Sequence, residues 1–509
     1  MRLTNQTPVI ISVGQFTNHG ETQDDLLCPA DLAAIAVNAC LEQAGGSHVA
    51  ASVDTVAVCR LFAESSPALT PPFGASTNLP RSIAKRTGMD PVTAIYASSG
   101  GDSAQRLVNQ QCERIYSGES RGALVVGVEA TRTTKRAAKL GVTPNWHEAI
   151  EGSLIDEGFG DLGTNGYELA HGIGIPVQTY SLFEHALRTE KGDSVSSHLS
   201  RMGELFAPFT KVAAENPYAQ FRVERTADEL KRFDDKNYPI TDIYPKYVVA
   251  QDSVDQSGAV LIVAESLADE LGVPREQRVY LHGYGSAKDR PITERPKIHQ
   301  SRAIKLAGER ALSSSKKTID QIAFFDIYSC FPSAVICAQE ALGIQHLPSE
   351  KLTLTGGLPF FGGAGNSYSI HAIVEMVKTL RMHTGEFGMV LANGGYLSKE
   401  AIGIYSTDRP VDWRPVDCSD IQRSIDTEEA PKVLKAHDGL GRVLSYTVAY
   451  AKGSPRFGYV LGETTKRERF LAAIRKGDSA TIDSLLEGNA IGREIRVEHH
   501  DRKNYFEFV

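Results

Sequence analysis

The sequence predicts an α/β protein made of two similar halves, with a long insertion in the first half and a β-rich region after the second. Short, nearly continuous apolar runs alternate with helix-like segments over most of residues 8–410, which favours a mostly parallel sheet covered on both faces. That alternation stops between about residues 131 and 245, and the composition changes again after Trp413. We therefore expect two α/β halves, one inserted subdomain and one additional region.

The first half begins as a β-α unit. An apolar strand is predicted at 9–13, and Pro29 opens an amphipathic helix that ends at Gly45 and Gly46. The further elements of this half alternate in type: strand 53–58, helix 82–87, strand 93–97, helix 102–116 and strand 124–128.

The polar and aromatic stretch from about 131 to 245 is too long for a loop. We expect it to be a subdomain, with helices at 178–191 and 193–205. The α/β plan then resumes with these predicted elements: strand 257–264, helices 265–271 and 301–312, strand 322–327, a helix from Pro332, and strands 389–392 and 403–406.

The last hundred residues have a different pattern of apolar and polar residues. Residues 441–451 and 456–462 alternate like two strands around a turn at 452–455. Phe470, Leu471 and Ile474 are spaced as on a helix, and Ile482 with Leu485 indicates a second helix. Closing strands are predicted at 494–498 and 505–509. We expect a separable β-rich domain that can close as a small barrel.

Composition excludes several functional classes. The net charge of −8, from 54 basic and 62 acidic side chains, provides no global basic field for nucleic acid. No apolar run approaches the roughly 20 residues that a membrane span requires, and the first residues lack a signal-peptide plan. The seven cysteines are widely spaced without a CxxC pair, so no metal site is predicted. Cytoplasm is the expected location.

The most informative stretch is residues 354–372, LTGGLPFFGGAGNSYSIHA. Glycines are used where the backbone must adopt positive φ or approach another group closely, so a dense glycine run before a helix predicts a backbone-lined ligand floor. Asn366 and Ser367 follow the run, and apolar residues then recur at helical spacing. We call residues 354–366 the glycine segment. Gly362, Gly363, Gly365 and Asn366 are its candidate ligand-binding residues.

Two other segments show strand ends with polar or glycine corners: FFDIYSCFPSAVICAQEALG at 324–343 and GMVLANGGYLS at 388–398. Together with the glycine segment, they resemble the C-terminal half of the thiolase superfamily. The likeness covers roughly residues 8–410 and is greatest to proteins related to the sterol-carrier-protein thiolases. It implies duplicated βαβαβαββ halves and a site built from four loops.

The resemblance implies a division of the chain into four parts. Residues 1–130 and 246–277 form the N-terminal half, 131–245 the inserted loop subdomain, and 278–412 the C-terminal half. Residues 413–509 are the additional domain. The family's activity implies an acyltransferase that takes CoA or an acyl-CoA as substrate, with no permanently bound cofactor.

Most of the catalytic residues of the family are missing from this sequence. The position of the family's nucleophilic cysteine falls on Ala97, the histidine of its Gly-His-Pro loop on Gly363, and its second cysteine on Ala392. Ordinary thiolysis is therefore not expected. Ser98 or Ser99 would be a substitute nucleophile only with a nearby base; otherwise the two serines cap the helix that begins near Asp102.

Four other residues are candidates for surviving chemistry. Cys330 retains the cysteine of the His-Asp-Cys-Phe version of one loop, where it would serve as acid or base, and Tyr328 takes the first polar position of that loop. Asn393 could donate a hydrogen bond to an oxyanion. His371 is either a replacement base or a core histidine. The roles of Cys330, Tyr328 and Asn393 are implied by the resemblance, whereas the two readings of His371 follow from its place on an apolar helix face.

Two functions remain open on the sequence. In the first, the protein is an acyl-CoA-dependent acyltransferase with altered chemistry, and basic residues such as Arg132 and Lys135 contact the CoA phosphates. In the second, it is catalytically silent, binding acyl-CoA or supporting a partner protein through its C-terminal domain. The resemblance also allows a homodimer.

Overall fold

The computed structural model describes residues 6–509. The first half follows the predicted order. Its elements are β1 (Pro8–Thr17), α1 (Pro29–Ala44), α2 (Ser47–Ala50), β2 (Thr55–Val58), α3 (Leu79–Arg86), β3 (Thr93–Tyr96), α4 (Ser103–Ser117) and β4 (Gly122–Ala130). Helix α1 has proline at its first position, and Gly45 ends it in the left-handed conformation, as the sequence predicts.

The insertion forms α5 (Thr131–Leu140), β5 (Ile155–Asp156), α6 (Gly166–Ala170), α7 (Pro176–Glu190), α8 (Val195–Glu215) and α9 (Ala227–Lys231). It is followed by β6 (Asp255–Ala264) and α10 (Glu265–Glu270). The fully buried carboxylate of Glu184 on α7 accepts hydrogen bonds from Tyr244 Oη at 2.6 Å and Ser333 N at 2.9 Å, and lies 2.6 Å from His198 Nε2 on α8. This network fixes the insertion to the second half.

The second half contains β7 (Tyr280–Lys288), α11 (Arg302–Ser315), β8 (Phe324–Ile327), α12 (Pro332–Leu342), α13 (Tyr368–Met382), β9 (Phe387–Gly394) and β10 (Lys399–Ser406). Helices α4 and α13 contact strands of both sheets and lie between them, whereas α1 and α11 cover the outer faces. The α/β plan with two halves and an insertion is confirmed. None of the helices within residues 6–509 is both long and apolar enough to cross a membrane.

The expectation of a mostly parallel sheet is wrong. The first sheet has the order β1-β6-β4-β2-β3-β5, and the second has the order β7-β10-β9-β8. Strand β6 lies antiparallel between β1 and β4 because the chain leaves the sheet after β4 and returns from the insertion at the same end. Strand β10 is antiparallel to β9 because a short turn connects them. Parallel pairing is confined to β4-β2-β3-β5 and β8-β9.

The C-terminal region consists of α14 (Ser419–Thr427), β11 (Gly439–Ala451), β12 (Ser454–Glu463), β13 (Arg469–Ala473), α15 (Ser479–Leu486), β14 (Glu494–His500) and β15 (Lys503–Phe508). The strand order β11-β12-β13-β15-β14 closes into a barrel. The helix predicted at Phe470 to Ile474 is strand β13. Phe470 packs inside the barrel while Leu471 packs in the core shared with the second half, so both faces are buried and the alternation typical of a strand is lost.

The barrel shares part of its core with the rest of the protein. Leu461 and Leu471 belong to one hydrophobic cluster with the insertion and the second half. Ser445 Oγ donates to Leu182 O of α7 at 2.7 Å, and Val448 N donates to Asp242 Oδ1 at 2.8 Å. The barrel is therefore packed against the insertion and the second half, and its separability as a domain stays a prediction.

Candidate functional site

A cavity of about 550 Å³ opens where four loops of the two halves meet the insertion. Three loops follow the carboxyl ends of β3, β8 and β9, and the fourth is the glycine segment. Residues 175–180 and 238–240 of the insertion and residues 246–252 after it cover the remaining side, and the lining is mostly apolar. Strand ends that converge on such a cavity are the usual place for a ligand site in α/β proteins.

The glycine segment is held by a carboxylate at the end of β8. Asp326 accepts hydrogen bonds from the backbone N–H groups of Leu354 at 2.8 Å and Thr355 at 3.0 Å, and from the Thr355 hydroxyl at 3.0 Å. Burial raises the pKa of Asp326 to about 6. The sequence does not reveal this role, because an aspartate inside an apolar run can only be interpreted once its backbone partners are known.

Asn366 connects the glycine segment to the loop after β3. Its Oδ1 accepts from Gly100 N at 2.9 Å, and its Nδ2 donates to Arg60 O at 2.8 Å and Ser65 Oγ at 2.7 Å. Asn366, Gly363 and Gly365 line the cavity, but Gly362 does not. Since both N–H groups of the Asn366 amide donate within the protein, the amide holds the loops in place and has no free donor for a ligand.

Close contact between loops requires glycine at two positions after β3. A Cβ at Gly100, whose φ is +146°, would overlap Asp102 and lie 2.6 Å from Lys399 Nζ. A Cβ at Gly101 would overlap the Tyr328 hydroxyl and the Asn393 carbonyl. Three loops therefore meet without intervening side chains.

Cys330, Tyr328 and Asn393 all line the cavity. Asn393 Nδ2 donates to the Tyr180 hydroxyl at 2.9 Å and lies 3.8 Å from Cys330 Sγ, so the phenol and the thiol share this amide as a neighbour. Burial raises the pKa of Cys330 to about 12, so the thiol stays protonated. The Asn393 amide nitrogen is directed at the protein, and its Oδ1 has no partner within residues 6–509. The insertion thus contributes Tyr180, which no local sequence pattern marks.

Lys399 is the functional candidate that the sequence does not reveal. Its side chain is 8% exposed and lines the cavity. The ammonium donates to Ser99 O and lies 3.8 Å from Asp102 Oδ1. Burial lowers the pKa of Lys399, and the Asp102 charge opposes that shift. The neighbouring Glu400 carboxyl is buried with its pKa raised well above the usual range, which favours its neutral form.

The two serine candidates differ in position. Ser99 lines the cavity, and its hydroxyl donates to Ser65 O at 3.2 Å. Ser98 lies outside the lining, and its hydroxyl accepts from Arg106 Nη2 at 3.0 Å. Neither serine caps α4, because its N-cap is Asp102 and makes no side-chain cap bond. Ala97, at the position of the family's cysteine, is completely buried and also lies outside the lining.

Three other candidates do not line the cavity, although Asp252, the partner of Lys135, does. His371 is buried in α13, its Nδ1 is 2.9 Å from Gln15 Oε1, and burial lowers its pKa to about 3. Arg132 pairs with Glu21 and donates to Gly20 O at 2.9 Å. Lys135 pairs with Asp252 at 2.6 Å. The charges of these two cations are thus partly neutralised within the protein.

A buried carboxyl beneath the glycine segment makes stability depend on pH. Glu129 accepts from Phe62 N at 2.7 Å, and burial raises its pKa from 4.5 to about 8. Between these two values the folded chain retains a proton that the unfolded chain has released, so this group's contribution to stability is lost as pH rises. We expect the difference in unfolding free energy between Glu129→Gln and wild type to shift in favour of the variant by about 1–3 kcal/mol when the pH rises from 5 to 8. Urea unfolding at both pH values measures it, and a difference independent of pH would contradict it.

Comparisons with known proteins show the family of the chain. Residues 420–502 match a family described as the thiolase-like protein type 1 additional C-terminal domain. The crystal structure of a monomeric SCP2-thiolase-like protein type 1 from Mycobacterium smegmatis is 35% identical, with a TM-score of 0.85 over 100% of both chains. The chain belongs to the SCP2-thiolase-like protein type 1 family. No curated protein matches the sequence.

More distant structures share the thiolase fold of this SCP2-thiolase-like protein. An acetyl-CoA acetyltransferase from Syntrophomonas wolfei is 15% identical, with a TM-score of 0.56, and the alignment covers 79% of this chain and 99% of the other. The dimeric peroxisomal thiolase of Saccharomyces cerevisiae is also 15% identical, with a TM-score of 0.57 and coverage of 79% and 98%. The thiolase resemblance and the additional C-terminal domain are thereby confirmed.

Proposed function

We propose that this SCP2-thiolase-like protein binds an acyl-CoA thioester in the cavity and does not transfer the acyl group through a cysteine. The observation that carries the proposal is the buried Lys399 ammonium at the wall of a mostly apolar cavity. Apolar walls suit an acyl chain and the methylene groups of pantetheine, while one well-placed cation fixes orientation. The second sequence hypothesis, a catalytically silent acyl-CoA-binding protein, is therefore preferred.

The Lys399 ammonium has more N–H donors than the one hydrogen bond to Ser99 O uses. An ammonium has three N–H bonds, of which one is directed at Ser99 O. The distance of 3.8 Å to Asp102 Oδ1 is too long for a second hydrogen bond. A thioester carbonyl oxygen, or a carboxylate on the acyl group, would accept the remaining bonds inside the cavity. Asp102 provides a partly compensating charge, which opposes the lowering of the Lys399 pKa by burial.

The groups that would perform acyl transfer are poorly placed for it. A cysteine nucleophile must be ionised, and the Cys330 thiol, with its pKa raised to about 12, is not. Burial raises the pKa of the neighbouring Tyr180 phenol well above the usual range, so this group does not act as a base at neutral pH. His371 lies outside the cavity lining. We therefore propose ligand binding without an acyl-enzyme, in the cytoplasm and as a monomer like the 35% identical relative.

Calorimetric titration of CoA and acetyl-CoA tests this proposal. We expect acetyl-CoA to bind wild type and Lys399→Met to weaken binding about tenfold or more, the loss expected for one buried charged hydrogen bond. Lys305→Met is the matched control, because Lys305 is exposed on α11 away from the cavity. Thermal unfolding of each variant checks that Lys399→Met remains folded. Neither heat nor a thermal shift for wild type at millimolar ligand would overturn the acyl-CoA proposal in favour of a partner-scaffold role.

A further inference from the structure

We propose that the C-terminal barrel carries a second binding site, which takes the phosphorylated nucleotide end of the CoA whose thioester lies in the main cavity. This inference rests on the proposed function. It assigns a ligand-binding role to the additional C-terminal domain, which is not part of either thiolase half. The main support for the second site is a cavity of about 350 Å³ at the junction of the barrel and the insertion, which is lined by basic and aromatic side chains.

The barrel architecture points to this face. It has five strands with helix α15 between the third and fourth, and its third and fifth strands pair in parallel. A five-stranded barrel of this kind is the architecture of the OB fold, which binds its ligands on the face of strands two and three and at the loops after the first and fourth strands. The cavity is lined by the beginning of β12, the end of β13 and the beginning of β15. These residues lie next to the corresponding loops, at 452–453 and 501–502.

The charge on this face is largely unneutralised. Arg456, Lys476 and Lys503 line the cavity, and within residues 6–509 none of them has a carboxylate within 4 Å. Arg475 pairs with Glu498 at 2.5 Å. Several cations converging on a small cavity favour a ligand with more than one phosphate charge. The overall charge of −8 conceals this local excess.

Aromatic groups beside the cations suit a nucleobase. Phe457 is 42% exposed at the edge of the cavity, and Arg475 lies 4.9 Å above the ring of Tyr505. Flat side chains next to basic ones form the usual combination for binding a base and its phosphates. The volume is at the lower limit of small-ligand pockets, so it fits one nucleotide rather than a strand.

The position relative to the main cavity favours CoA as the source of that nucleotide. His171 and Gly172 line the barrel cavity, whereas Ile175 and Pro176 line the main cavity. Three residues span at most about 11 Å, so the two cavities adjoin the same short segment. The basic residues that the sequence suggested for CoA phosphates, Arg132 and Lys135, are already paired with carboxylates. Lys246 also lines the main cavity, but four cations, Arg456, Arg475, Lys476 and Lys503, converge on the barrel cavity.

Three ligands and one double variant test the inference. Adenosine 3′,5′-bisphosphate represents the nucleotide end, S-acetylpantetheine represents the thioester end, and acetyl-CoA contains both. We expect Lys476→Glu with Lys503→Glu to weaken bisphosphate and acetyl-CoA binding about tenfold or more without changing S-acetylpantetheine binding. Lys466→Glu with Arg467→Glu, at the opposite end of β12, is the matched control with the same charge change.

The outcomes separate this inference from the proposed function. If S-acetylpantetheine binds but the double variant leaves acetyl-CoA affinity unchanged, the barrel site is refuted and the main cavity stands. If the bisphosphate binds through Lys476 and Lys503 while S-acetylpantetheine does not bind, the proposed function fails alone. Tighter binding of a short single-stranded oligothymidylate than of the bisphosphate, abolished by the same variant, would overturn CoA as the source and assign the barrel to nucleic acid.

Discussion

Purified protein should show no measurable thiolysis of acetoacetyl-CoA. The reaction needs a thiolate that accepts the acyl group, and Cys330, which lines the cavity, has a thiol that remains protonated at neutral pH. Losing a catalytic nucleophile costs enzymes roughly 10⁴-fold or more in rate. We therefore expect the rate of acetoacetyl-CoA consumption, followed by absorbance, to be at least that far below a true thiolase measured in parallel.

Two variants make this expectation specific. Cys330→Ala should leave the background rate unchanged. Ala97→Cys restores the cysteine that the family has at this position. It should not restore activity, because residue 97 is completely buried and lies outside the cavity lining. Turnover comparable to a thiolase that is lost in Cys330→Ala or Ser99→Ala would refute the claim.

Gly365→Val should strongly destabilise the protein. Gly365 has φ of +48°, which a β-branched residue adopts only with strain. A Cβ there would overlap Glu129 Oε1 and lie 3.0 Å from Phe62 Cβ. Strain and overpacking together predict a loss of about 3 kcal/mol or more in the free energy of unfolding, measured by urea denaturation.

Gly363→Ala is the matched control within the same segment. Its Cβ would lie 3.2 Å from Gln251 O and 3.4 Å from Ala250 Cβ, and its φ is not positive. We expect a loss of about 1 kcal/mol or less. Equal losses for both variants would show that the left-handed conformation at 365 is not what the fold requires.

Much of the site follows from local sequence signals. Glycine clusters and polar corners after apolar runs identify the loops at 99–101, 328–331, 363–366 and 393–395, because strand ends and positive φ leave compositional marks. These four segments do meet at one cavity. The roles assigned to Ser98, Ser99, Cys330 and Asn393 stay predictions.

The features that the sequence does not reveal depend on distant packing. A lone lysine at the beginning of a strand is normally exposed, whereas Lys399 is buried next to the loop after β3, which Gly100 allows to approach closely. Tyr180 lies on a helix of the insertion and reaches Cys330 through tertiary contact. The helix predicted in place of strand β13 is wrong because both faces of that strand are buried.

The central claim is that the cavity holds an acyl-CoA thioester without taking its acyl group. Mass spectrometry of one mixture with excess acetyl-CoA, recorded under native and then denaturing conditions, tests both parts at once. We predict a one-to-one complex in the native spectrum and the unmodified chain after denaturation. A denatured chain heavier by one acetyl group, located by peptide mapping at Cys330, Ser99 or Lys399, would contradict the account, as would the absence of any native complex.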